Sequence, residues 1–187
     1  LALHWDIWFF SGRPLSEVQG LPREEARIAV GLDDRDAVAH AVLAHMLMWG
    51  SEWEAAIAEA RIAFALNPNS AFVISMLGCV LCFGGHNEEA LEHLRQAIRA
   101  SPHDPMRWLW TTWIGAAYWN LRDFAAALEM HEEVVRQQPS FRWLHFLNAS
   151  ALALLGRHDE ARAMFDRAAA QFPDEVPRLS KRPPWVR

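Results

Sequence analysis

Small and apolar positions recur along this chain with a long period. Ala56, Ala90, Ala127 and Ala161 stand 34, 37 and 34 residues apart. A small residue (Ala44, Gly78, Gly115 or Ala149) comes twelve positions before each, and Pro68, Pro102, Pro139 or Pro173 comes twelve positions after. Anchors that move together indicate a stacked array of one supersecondary unit. Between them the pattern is helical. Ala55 to Ala63 consists of strong helix formers. Ala71 to Cys82 is the most apolar stretch, too short for a membrane span, and reads as a buried helix. No strand-like alternation lies between turn signals. The predicted helices are 36–49, 52–66, 70–84, 87–100, 104–120, 123–137, 140–155 and 158–171, with Gly84-Gly85 as the turn inside one hairpin. Ser51 is the expected cap of the second helix with Glu54 completing a capping box, and Ser140 and Asn87 are expected caps elsewhere. Small residues at the eighth and twentieth positions let paired helices approach closely. The closing proline has no N–H and a fixed φ, so it ends each pair.

Leu77-Gly78-x-x-Leu81, then Ala90-x-x-x-Leu94, Ala97 and Pro102, resembles the tetratricopeptide repeat (TPR). Ile114-Gly115-x-x-Tyr118, Ala127 and Pro139 match the pattern again. The resemblance implies an all-α superhelical solenoid of antiparallel hairpins, with units 37–70, 71–104, 108–141 and 142–175; the first and last carry Ala44 and Ala149 in place of glycine. Two stretches depart from it. Pro105-Met106-Arg107 is an insertion, expected to lengthen the following helix by about one turn, with Asp104 as cap and Pro105 in the first turn. Residues 1–36 read as a degenerate first repeat that caps the stack. Arg23 to Leu32 is its second helix, Ala2 to Phe10 the partner, and a long loop runs from Ser11 to Gly20. Residues 176–187 form a basic, proline-containing tail with Arg178, Lys181, Arg182 and Arg187, read as a solvated linker.

The resemblance also implies a binding face. In a TPR stack the second, fifth, ninth and twelfth positions of each first helix point into the concave groove. Here these are Val38, Ala41, His45 and Met48; Phe72, Ser75, Cys79 and Cys82; Leu109, Thr112, Ala116 and Trp119; and Trp143, Phe146, Ser150 and Ala153, with Trp49 and Trp113 beside them. TPR domains that grip the C-terminal carboxylate of chaperones use Lys, Asn and Arg at such sites, and this chain lacks them. Its groove is apolar and aromatic, which suits an apolar peptide or an amphipathic helix. The competing use of the ten tryptophans is packing between repeats, with the groove filled by the N-terminal segment or closed by homo-oligomerisation.

Composition narrows the function classes. The chain has 187 residues, is 52% hydrophobic and carries a formal charge of −5, so no electrostatic footprint for nucleic acid exists. No secretory leader pattern and no run of transmembrane length appear, which points to a cytoplasmic protein without membrane insertion. It opens at Leu1 without an initiator methionine, as an excised segment or a processed product would. Cys79-x-x-Cys82 falls mid-helix, away from the helix N-terminus that activates a redox thiol, and has no second ligand pair for zinc. The nine histidines are scattered; His131-Glu132 lacks the second histidine of H-E-x-x-H. Asp33-Asp34-Arg35-Asp36 is read as helix capping rather than metal binding. No nucleophile–base constellation stands out, so no enzyme activity and no cofactor is expected.

A narrower resemblance rests on Ala65 to Ser70, Glu88 to Leu94, Ser101 to Pro105 and Leu155 to Arg162. These junctions are similar to C-terminal TPR regions of bacterial class III adenylate/guanylate cyclase-like proteins and winged-helix regulators. That resemblance implies a cis-acting regulatory segment of a larger signalling protein. The primary expectation is a protein-interaction scaffold that holds a protein or peptide partner in its groove.

Overall fold

The computed structural model describes residues 20–176. Expectations for 1–19 and for the tail beyond 176 lie outside the described residues. Within them the chain forms nine α-helices and a short 3-10 turn, Pro173–Glu175. The helices are α1 (Gly20–Leu32), α2 (Ala37–Trp49), α3 (Trp53–Leu66), α4 (Ala71–Phe83), α5 (Asn87–Ala100), α6 (Arg107–Asn120), α7 (Phe124–Gln137), α8 (Arg142–Leu154) and α9 (His158–Gln171). Each of α2/α3, α4/α5, α6/α7 and α8/α9 is a hairpin, and consecutive hairpins stack. This is a TPR solenoid.

The anchors that set the period also set the packing. Ala56, Ala90 and Ala127 have no exposed surface, and Ala161 is nearly as buried. One turn beyond Ala90 and Ala127, Leu94 and His131 face the glycines of the first helices. A Cβ on Gly78 would lie 2.7 Å from Leu94 Cγ, and one on Gly115 would run into the His131 ring. The glycines are therefore a steric requirement of the hairpin contact.

All four hairpins turn in one way, which overturns the expected caps at Ser51 and Asn87. Ser51, Gly85, Arg122 and Gly156 each adopt positive φ just after the first helix. The next residue's N–H reaches back to the helix: Glu52 to Leu47 O at 3.1 Å, His86 to Leu81 O at 2.9 Å, Asp123 to Tyr118 O at 2.9 Å and Arg157 to Leu152 O at 2.9 Å. This left-handed closure satisfies carbonyls the helix leaves orphaned. Ser51 is consumed by it, and Glu52 holds the cap position of α3 without a side-chain capping bond. Asn87 lies inside α5. Its amide donates to Gly85 O and its carbonyl accepts from Asn120 Nδ2 at 3.0 Å, so it ties one hairpin to the next. Phe141 holds the cap position of α8 in place of Ser140, without a side-chain bond. Side-chain caps fall instead on Asp36, Ser70 and Asp123. The acidic run does act by capping: Asp36 Oδ1 accepts from Val38 N at 2.8 Å, and Asp33 Oδ1 from Arg35 N at 2.9 Å.

The insertion does not lengthen a helix. Asp104 Oδ1 accepts from Met106 N at 2.8 Å, and Arg107 N donates to Asp104 O. The extra residues close a turn of their own, and α6 starts only at Arg107, 14 residues long against 13 for α2 and α4. An aspartate that bonds the N–H two residues on makes a turn as readily as a helix start.

Candidate functional site

The first helices of the four hairpins, α2, α4, α6 and α8, carry the positions expected to line the groove. The structure divides the expected groove residues by depth. His45, Met48, Ser75, Cys79, Leu109, Trp113 and Phe146 are buried, while Trp49, Phe72, Thr112 and Trp119 are half-buried. Val38 and Trp143 are exposed, at 49% and 37%. Val38 borders a shallow depression between α1 and α2 with Pro22, Glu25, Ala29 and Val42, away from the rest.

Several of these residues are brought together along the stack. Cys79 Sγ sits 3.9 Å from Met48 Sδ, and Cys82 Sγ is 3.7 Å from Trp113 O, so α2, α4 and α6 pack side by side. Trp49 Nε1 donates to His45 Nε2 at 3.2 Å, and the Trp49 ring lies 6.0 Å from Phe83. Further along, Trp119 meets Phe124 edge-on at 5.2 Å and packs on a cluster of Leu128, Ala151, Leu152 and Ala161. Phe146 meets Phe165 at 5.6 Å.

Depth falls off toward the C-terminal end. On α2 and α4 the expected groove positions other than Val38, Trp49 and Phe72 are at most 2% exposed. On α6, Thr112, Ala116 and Trp119 are half-buried. On α8, Trp143, Ser150 and Ala153 are all exposed. Thr112 and Ser150 turn their hydroxyls back to Trp108 O and Phe146 O, so the strip they leave is only weakly polar.

Chemistry is subdued along the strip. Burial pushes the Cys82 thiol up to about 12, and Cys79 is raised well above its ordinary value by burial and by Cys82. Both thiols are free, and a thiol held protonated is a poor nucleophile and a poor ligand. Among the described residues no group of three His, Cys, Asp or Glu could hold a metal ion.

Two features escaped the sequence reading. Phe83 is exposed beside Trp49, and the only hint was its place just before Gly84-Gly85. His131 is wholly buried at the α6/α7 contact. Burial lowers its pKa to about 4, and the Thr112 carbonyl, short of hydrogen-bond geometry, offsets this only in part. The available signal was an imidazole where the other units carry Ala60, Leu94 and Phe165.

Two family models, both described as tetratricopeptide repeat, match the chain over residues 75–129 and 119–181. Among solved structures, a crystal structure of MamA is 18% identical with a TM-score of 0.66, covering 83% of this chain and 89% of MamA. YrrB, described as a TPR protein with an unusual peptide-binding site, is 23% identical with a TM-score of 0.62, covering 81% of this chain and 76% of its own. At these identities the likeness speaks for the fold alone. No curated protein matches the chain. Neither the two family models nor these two structures bring in a cyclase or winged-helix domain.

Proposed function

Since the chain belongs to the tetratricopeptide repeat family, matched from residue 75 to 181, we propose that it is a protein-interaction scaffold whose concave face holds an apolar peptide or an amphipathic helix. The observation that carries this reading is the accessible strip Thr112, Ala116, Trp119, Trp143, Ser150 and Ala153 on α6 and α8. Aromatic and small side chains left open on a rigid concave surface suit an apolar partner. Of the deeper residues, Leu109, Trp113 and Phe146 are buried on the helices that carry the strip, and His45, Met48, Ser75 and Cys79 are buried on α2 and α4 beyond it. The description of YrrB as peptide-binding is a precedent for such a face on a similar fold.

Peptides selected from a random library on the immobilised full chain provide the probe. The best binder is titrated calorimetrically against the parent, Trp119→Ala and Trp143→Ala, with thermal unfolding of each variant alongside. Anchoring aromatics cost about 2 kcal/mol or more on truncation. Trp143→Ala should weaken binding by that much with little change in unfolding midpoint. Trp119→Ala should weaken it too, with some loss of stability from its contact with Phe124. Undiminished affinity in both variants would sink the reading.

A further inference from the structure

The second helices of consecutive hairpins are stapled to their neighbours at one recurring position, and the last junction breaks the rule. In the first unit the twenty-fifth position is Arg61, which donates to both carboxylate oxygens of Glu89, the nineteenth residue of the next unit, at 2.9 and 3.0 Å. In the second unit it is Arg95, which donates to the Tyr118 hydroxyl of the third. In the third unit it is Glu132, and the nineteenth residue of the fourth is Glu160. Two carboxylates thus stand where Arg61 and Glu89 attract each other. Glu160 is satisfied within its own hairpin, because the Arg157 guanidinium donates to both of its oxygens at 2.8 and 2.7 Å. Glu132 accepts no hydrogen bond and joins no ion pair among the described residues. It acts on Arg157 only at longer range, adding to the Glu160 hydrogen bond that raises the guanidinium's pKa.

Glu132 lines a cleft of about 240 Å³ between α7 and α9. Leu152 of α8, with Ala163 and Met164 of α9, supplies its apolar lining. Arg167 of α9 lines it too, and among the described residues that guanidinium has no hydrogen-bond or ion-pair partner either. With Arg157 and Glu160 paired to each other, the cleft presents one unpaired acid and one unpaired base beside an apolar patch. We propose that it binds a free α-amino acid with an apolar side chain, its ammonium on Glu132, its carboxylate on Arg167 and its side chain against Leu152 and Met164. The four charged groups of the lining sum to zero, which favours a dipolar ligand over a plain cation or anion. A guanidinium is a planar fork that matches a carboxylate on two oxygens. The cleft is smaller than the ~300–1,000 Å³ of pockets for drug-sized ligands, so its occupant is small and is neither a helix nor a long peptide. Bound there, the ligand would staple the third hairpin to the fourth as Arg61 and Glu89 staple the first to the second.

The test is a titration of the isotope-labelled full chain with L-leucine, followed by backbone amide shifts. Isoamylamine, which lacks the carboxylate, and 4-methylpentanoate, which lacks the amine, serve as comparison ligands. L-leucine should give saturable shifts at Glu132, Leu152, Met164 and Arg167. Glu132→Gln and Arg167→Gln should each weaken it about tenfold, as loss of a hydrogen bond to a charged group does. Both side chains are at the surface, so the variants keep the fold, which their unshifted spectra before titration check. Trp143→Ala, on the strip assigned to a protein partner, should bind L-leucine as the parent does. Shifts that fail to saturate by roughly 10 mM would overturn the proposal. Equal affinity for isoamylamine or for 4-methylpentanoate would overturn it too, by showing a site for a single charge. Loss of L-leucine binding in Trp143→Ala would place the ligand on the strip and refute the cleft, leaving the scaffold reading untouched.

Discussion

The two ends of this solenoid are built from the same unit and packed to different depths. From α1 through α6 the buried side chains form one continuous cluster, running from Ala26 to Ala117. Beyond it the core breaks into two small groups, one around Leu128 and Leu152 and one around Val134, Phe141 and Leu144. Apolar residues follow the same trend. Leu154, Leu155 and Phe165 are exposed in the last hairpin, whereas Leu77, Val80 and Leu81 are fully buried in α4. In a stack where each repeat touches mainly its neighbours, stability is a sum of local terms. The lesson is a division of labour within one repeat family. In the proposed reading the N-terminal half supplies the rigid body, and the C-terminal half supplies the open surface that a partner would use.

Core truncation should break this comparison most strongly. Leu81→Ala removes a side chain with no exposed surface and should cost about 2–5 kcal/mol. Leu154→Ala, at the last position of α8 and 54% exposed, should stay within about 0.5 kcal/mol because its side chain is already in water. Denaturant unfolding of the two variants gives the ratio, and equal losses would erase the distinction.

A second test probes the junction of the halves. Acid should act on His131, whose folded pKa of about 4 lies below the ordinary 6.5 because burial disfavours the imidazolium. The unfolded chain then takes up the proton first. This contribution is fully present above pH 6.5 and is lost as pH falls toward 4, up to on the order of 3 kcal/mol. His40, on α2, runs the other way. Burial pulls its pKa down, but its hydrogen bonds to Glu59 and to the Asp34 carbonyl outweigh that and leave it raised. Both acceptors favour a doubly protonated ring, so its contribution is present below 6.5 and fades as pH rises through the raised value. Hydrogen exchange at pH 5 should therefore loosen α6 and α7 before α2 and α3, and His131→Leu should abolish the difference.

Steric tests come next. Gly115→Leu drives a side chain into the His131 ring and should cost about 1–3 kcal/mol or more. Adding His131→Ala should return part of that loss, since the two share one space. A midpoint unmoved by Gly115→Leu would place the α6/α7 contact elsewhere. The smallest effect belongs to the turns. Ser51 holds φ at 61°, where a side chain is strained, so Ser51→Gly should raise stability by on the order of 1 kcal/mol.

Much of this was legible in the chain. The anchors, spaced 34 and 37 residues apart, fall in each of the four described hairpins, and Gly78 and Gly115 stand where a Cβ would collide with the facing helix. Caps were less legible. Ser51 beside Glu54 has the local signature of a helix start, yet the hairpin needs a left-handed residue there and tertiary closure overrides the preference. Asp104 likewise spent its carboxylate on a turn. The groove was legible only as a register. Whether Met48 or Trp143 faces solvent depends on how many helices lie beside it, and no spacing in the sequence encodes that.

The division of labour is tested most directly by mapping where a partner lands. The best library-selected peptide is bound to the isotope-labelled full chain, and backbone amide shifts are followed residue by residue. The account predicts the largest changes on α6 and α8, around Thr112, Trp119, Trp143 and Ser150, with α2 and α4 nearly silent. A footprint centred on Ala41 to Met48 and Ser75 to Cys82, with α8 unmoved, would contradict it.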